Sequence, residues 1–224
     1  MLNSALYFMF GATAFVLLSG CGGAADSPYD LTTRYAAAVR DAAVAEAEEI
    51  HTLRPVSGDA AVVLTWVDKA YAESYPVGGE VTLSWGDVWV TLVPDVHDKC
   101  VAFPEGKKRL RIQQLLGLPP KDEERVFVVL ETDTGHLFRP CIAPDIATDK
   151  CPATGKAATA AHAEFFANQT ALSYTQPGGY PWTRLGYTYD WNPSTPEFGV
   201  SEYVIRKGTT VRVTAVFETA SYCR

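Results

Sequence analysis

The sequence predicts an α+β fold: a mixed, mostly antiparallel sheet with two or three helices, held by disulfides. Three observations carry that reading. Runs rich in Val, Ile, Thr and aromatic residues recur along the chain, bounded by Gly, Pro and Asp turns. Only three stretches show helical character. Four cysteines, Cys100, Cys141, Cys151 and Cys223, lie among these elements. Alternating βα units and internal repeats are absent, which argues against a doubly wound sheet.

The elements follow in order. Residues 31–45 are Ala-rich, with Tyr35, Val39, Ala43 and Ala47 on one stripe, and Asp30 or Thr32 as the cap. Glu46, Glu48 and Glu49 would oppose the helix dipole, so the helix should stop near Ala45. Residues 60–67 read as a buried strand. Residues 80–84 and 87–93 are β-rich and flank Trp85-Gly86, the pattern of a hairpin. Lys107–Leu116 is a short helix stopped by Gly117 and Pro119-Pro120. Arg125–Thr132 is a strand, with His136–Arg139 as its expected hairpin partner. Ala157–Asn168 is a second Ala-rich helix, and Thr183–Trp191 a strand. Glu202–Arg206 and Thr209–Phe217 are strands joined at Lys207-Gly208.

The chain has 224 residues, 47% of them hydrophobic, enough for a single globular domain with its own core over 31–224. Its net charge of -7 sets it apart from nucleic-acid binders, which need clustered Lys and Arg. Aromatic residues make up 12%, a high share.

Ala5–Leu18 is almost continuously apolar. At about 14 residues it would reach roughly 21 Å as a helix, short of the about 20 residues, or about 30 Å, that a membrane span needs. It has the length of a signal-peptide apolar region. It leads into Leu18-Ser19-Gly20-Cys21, which resembles the lipobox of bacterial lipoproteins. The resemblance covers residues 1–21. It implies cleavage after Gly20, a diacylglyceryl group on the Cys21 thiol and further acylation of the new N-terminus, with membrane lipid as the partner. Met1–Ser4 lacks the Lys or Arg usual in that family. Either the N-terminal amine serves as the charge, or the true start lies upstream. Gly22, where inner-membrane lipoproteins often carry Asp, favours the outer membrane by the same resemblance. Two or three acyl chains give stable anchoring. Residues 21–30 then form the lipidated Cys and a flexible tether, whose nine residues after Cys21 reach about 30 Å at most.

An exported chain folds where disulfides persist. Four cysteines allow three connectivities. Cys141 and Cys151 flank a short loop of turn formers and are the favoured local pair, which leaves Cys100 with Cys223. The alternative is four buried thiols. The spacing gives no zinc motif.

Candidate chemistry is sparse. Asp133-Thr134-Gly135 superficially resembles the aspartic-protease triplet, but no second copy exists. An ordinary turn is the preferred reading. Asp95, His97 and Asp98 could offer metal ligands, though Pro94 marks a loop. His162 and Glu164 do not form a zinc motif, and His162 is read as packed beside Phe165. Ser201, in Gly199-Val200-Ser201-Glu202-Tyr203, lacks the second Gly of a nucleophile elbow. Lys107, Lys108, Arg109 and Arg111 form a basic run, read as a solvated face, with contact to anionic lipid headgroups or cell-wall phosphates as the alternative. Tyr174–Tyr203 carries Tyr174, Tyr180, Trp182, Tyr187, Tyr189, Trp191, Phe198 and Tyr203. On a strand, Leu185, Tyr187, Tyr189 and Trp191 would share one face, with Arg184, Thr188 and Asp190 on the other. Tyr and Trp suit glycan or protein contacts as well as cores.

No catalytic residue, metal or cofactor is called for. The expected function is a cell-envelope lipoprotein, a non-enzymatic binding or structural module for a protein or glycan partner. Arg184, Tyr187, Tyr189 and Trp191 are the candidate contact surface. The alternative is an envelope hydrolase whose acid-base groups, Asp190, Arg184 and His136, meet only in the fold.

Overall fold

The computed structural model describes residues 27–175 and 178–224. The apolar leader, Cys21 and tether residues 22–26 lie outside the described residues. Eight strands make one sheet: β1 (Ala60–Asp68), β2 (Glu80–Thr82), β3 (Val88–Leu92), β4 (Arg125–Asp133), β5 (Leu137–Phe138), β6 (Tyr187–Tyr189), β7 (Phe198–Ile205) and β8 (Thr210–Glu218). Their order is β2-β8-β4-β1-β3-β7-β5, with β6 paired to β7. Every pairing among these strands is antiparallel. The helices are α1 (Pro28–Asp41), α2 (Asp95–Cys100), α3 (Lys108–Leu115), α4 (Ala160–Tyr174) and α5 (Thr219–Tyr222). The expected fold class holds, with three helices of eight residues or more.

Strand positions follow the apolar runs, but two expected pairings are corrected. Residues 80–84 and 87–93 do not pair with each other. β2 pairs with β8, while β3 lies between β1 and β7. Likewise Leu137–Phe138 pairs with β7 rather than with β4, whose two edges are filled by β1 and β8.

β7 and β8 lie four places apart in the sheet, yet only the turn Arg206–Thr209 joins them. At about 4.8 Å per strand, a flat sheet would set them roughly 19 Å apart. The sheet therefore curls until its ends meet. The Leu83 N–H donates to Thr209 O (2.9 Å) and the Gly208 N–H donates to Leu83 O (2.8 Å), which ties the β2–β3 connection to the β7–β8 turn. A bulge at Thr214, opposite Val129/Leu130, adds curvature. Inside the curl Val63, Leu83, Val90, Val128, Ile205 and Val213 form one core. On the outer face Leu64, Trp66, Ile112, Leu115, Phe127 and Tyr222 form a second, covered by α2, α3 and α5.

The helices differ from expectation at their ends. α1 begins at Pro28, within the segment read as tether. Ser27 caps it, with a reciprocal capping box to Asp30 and Pro28 in the first turn. It ends at Asp41, and it buries Tyr35 and Ala38 rather than the Tyr35–Val39–Ala43 stripe. Thr159 caps α4, which runs on to Tyr174. Gly117, at φ +65°, ends α3 as its sequence position implies. β6 is shorter than the Thr183–Trp191 strand read from sequence. Arg184 and Gly186 both have positive φ, at 61° and 81°, and break the extended path.

Both expected disulfides form: Cys100–Cys223, with Cα atoms 5.2 Å apart, and Cys141–Cys151, 6.3 Å apart. The first ties α2 to the end of the chain. The second closes a small cluster with Leu53, Leu185 and Tyr187. No helix among the described residues is long and apolar enough to cross a membrane.

Candidate functional site

β1 pairs along its full length with β4, but with β3 only at Val63–Leu92 and Leu64–Thr91. Beyond Leu64 the two strands part. Thr65, Trp66 and Val67 on one side, and Val88, Trp89 and Val90 on the other, line a shared cleft of about 630 Å³. Leu116–Leu118 after α3, Leu172 on α4 and the Tyr180-Pro181-Trp182 loop complete its walls. Trp85, Leu172 and Tyr180 in those walls are exposed, at 52, 55 and 45%.

The polar floor is narrow. Glu202 on β7 lies opposite Thr91 on β3. Such facing side chains stand roughly 5 Å apart at Cβ. Glu202 is 7% exposed, and burial pushes its carboxyl up to about 8, only partly opposed by the Arg139 cation. It is thus mostly neutral at pH 7. Thr91 is 6% exposed, and its Oγ1 has no hydrogen-bond partner among the described residues. Arg139 is fully buried; its Nε donates to Asp145 O and its Nη2 to the carbonyls of Arg54, Ile146 and Thr148, while its Nη1 has no partner among the described residues. Its guanidinium also lies over the Tyr203 ring. Gly186 lets this arrangement close: a Cβ there would lie 2.8 Å from Arg139 Cδ.

The aromatic segment divides. Tyr180, Trp182 and Tyr189 line the cleft. Tyr187 is buried beside the Cys141–Cys151 disulfide, and its hydroxyl donates to Glu49 O at 3.0 Å. Trp191 packs edge-on against Tyr35 of α1, and its indole donates to Leu118 O. The expected single face of Leu185, Tyr187, Tyr189 and Trp191 is therefore not one exposed surface. Trp191 and Tyr187 are core, for the turn at Arg184–Gly186 changes the direction of the chain. Arg184 donates to Ala42 O and Ala43 O, capping the end of α1, and stacks on Tyr174.

The groups named for a hydrolase do not converge. Asp190 is buried in a two-pronged pair with Arg111, at 3.1 and 3.0 Å. Arg184 holds α1, and His136 sits exposed on a turn at the end of β4. Asp133 accepts from the Gly135 N–H in that same turn, so the Asp-Thr-Gly triplet is a turn. Asp95, His97 and Asp98 lie on α2 rather than a loop, with Asp95 paired to Arg54. Ser201 Oγ accepts from the Arg54 N–H. His162 is packed, as expected, and its Nε2 bonds Cys141 O at 2.6 Å.

The basic run is dispersed. Lys108 is buried, paired to Glu105 and donating to Cys223 O at 2.9 Å. Arg111 holds Asp190, and Arg109 pairs with Asp122. Lys108 and Arg111, three residues apart, share the helix face that turns toward the core.

Asp41, Glu49 and Glu197 bring carboxylate oxygens within 4.8 Å of one another. The Tyr189 hydroxyl donates to Asp41 (2.7 Å) and Glu197 (3.3 Å). Burial first, and then neighbouring carboxylates, raise the Glu49 and Glu197 carboxyls. This trio is the group of carboxylates best placed among the described residues to hold a cation.

The cleft itself escaped the sequence reading, because its parts come from strands far apart in the chain. One signal was present. In Val200-Ser201-Glu202-Tyr203-Val204-Ile205, a Glu takes the same parity as Val200 and Val204. A carboxyl in register with valines that are themselves buried marks a buried acid. No protein-family model, curated protein or solved structure matches this chain.

Proposed function

We propose that this chain is a lipid-anchored cell-envelope protein, held through acylated Cys21, whose domain is a non-enzymatic binding module. The split between β1 and β3 carries the reading. It opens a largely apolar, aromatic-lined cleft of ligand size, with a few converging polar groups at one point, as small-molecule sites have. Two disulfides fit an oxidising compartment such as the envelope. The separation of Asp190, Arg184 and His136 favours binding over hydrolysis.

The test is titration with the neutral fluorescent probe N-phenylnaphthylamine. Wild-type protein is expected to bind it saturably. Thr91→Trp, which fills the floor, and Gln169→Trp, which narrows the wall, should each weaken binding about tenfold, or about 1.4 kcal/mol. Both should retain cooperative unfolding. Undiminished binding in both folded variants would place the ligand elsewhere.

A further inference from the structure

Resting on the cleft as a ligand site, we infer that its occupant is an uncharged amphiphile: an apolar chain ending in a neutral oxygen acceptor, bound with that oxygen inward against Thr91 and Glu202. The charge balance of the walls points there first. No Lys, Arg or His lines the cleft, and its acidic residues are Asp87 and Glu202. A fatty-acid carboxylate or a phosphate would enter a low-dielectric site with carboxyls and no lining cation, which is costly. The buried cation that acts on Glu202, Arg139, does not line the cleft; its Nε and Nη2 serve four backbone carbonyls, while its Nη1 has no partner among the described residues.

The mainly apolar walls disfavour a sugar. Glycan recognition needs many free donors and acceptors around the ring. Here three of the lining groups are engaged within the fold. Thr188 Oγ1 donates to Leu115 O (2.6 Å), the Trp182 indole donates to Pro140 O (3.0 Å), and the Tyr189 hydroxyl is held by Asp41 and Glu197. At the floor Thr91 Oγ1 is buried without a partner, and Glu202 stands opposite it. A hydroxyl and a protonated carboxyl each have an O–H to donate, which an ester carbonyl or an alcohol oxygen can accept. The exposed Trp85, Leu172 and Tyr180 give the apolar chain a greasy exit. A cationic head would profit from the aromatic rings, but burial favours the neutral form of the one deep carboxyl that would have to balance it.

The experiment is isothermal titration of the disulfide-intact protein with monododecanoylglycerol, dodecanoate, dodecyltrimethylammonium and maltotriose, each below its micellar concentration. Monododecanoylglycerol should bind at least about tenfold more tightly than either ionic amphiphile, and maltotriose should not bind. Glu202→Leu combined with Thr91→Val should weaken monododecanoylglycerol about tenfold more than it weakens N-phenylnaphthylamine, which has no oxygen to place at the floor. Glu202→Gln, which keeps a donor, should retain affinity for monododecanoylglycerol. Tighter binding of an ionic amphiphile or of maltotriose overturns the inference while the cleft remains a site. So does a Glu202→Gln variant that binds as weakly as the double one. Failure of all four ligands and of the probe removes the binding reading as well.

Discussion

Glu202 is the residue at which stability and function meet. Desolvation raises its carboxyl from an ordinary value of 4.5 to about 8, with Arg139 pulling the other way. The folded chain therefore holds this proton more tightly than the unfolded chain. Its contribution is fully present below about pH 4.5, declines as pH rises, and is lost by about pH 8. The slope is about 1.4 kcal/mol per pH unit within that window. Wild-type protein should thus lose urea resistance between about pH 5 and about pH 8 more steeply than Glu202→Gln, which cannot titrate there. Parallel stability profiles for the two proteins would show that Glu202 is ionised throughout. The sequence exposed this residue only through its parity with Val200 and Val204. Its partner Thr91 lies more than a hundred residues earlier, so no local pattern could join them.

At the scale of elements, what was legible was what is local. β1, β4 and β8 are runs of Val, Leu and Thr, and their bounds follow from composition. Gly117 after α3 and the short Cys141–Cys151 loop are equally local signals. Pairing is a different matter, for it depends on the curl of the whole sheet. The Glu80–Thr82 strand reads as half of a hairpin, yet it is captured by β8 because the sheet ends come together. Arg184 and Gly186, at positive φ, break the strand that alternation alone starts at Thr183. The disulfides also act at this scale, and their loops differ in length. Cys100–Cys223 spans 123 residues and Cys141–Cys151 spans 10. The chain-entropy relation gives about 5 and about 3 kcal/mol. Denaturant unfolding should show Cys100→Ala/Cys223→Ala less stable than Cys141→Ala/Cys151→Ala. The reverse order would mean that packing around Leu185 and Tyr187 outweighs chain entropy.

For the whole molecule, the fold class was legible from the recurrence of strands and the even cysteine count. The cleft was not, since it exists only where β1 leaves β3 and a distant loop roofs the gap. Location rests on Leu18-Ser19-Gly20-Cys21. Intact mass of protein extracted from membranes should show a chain beginning at Cys21, carrying acyl groups and both disulfides; an unacylated start at another residue would sever the domain from the lipid anchor. The cleft is tested most directly by amide hydrogen exchange with and without saturating N-phenylnaphthylamine. Protection should rise at residues 65–67, 88–90 and 180–182, and stay unchanged along β8. Protection confined to β8 or to the Asp41–Glu197 carboxylates, or no change anywhere, would contradict a ligand held between the parted strands.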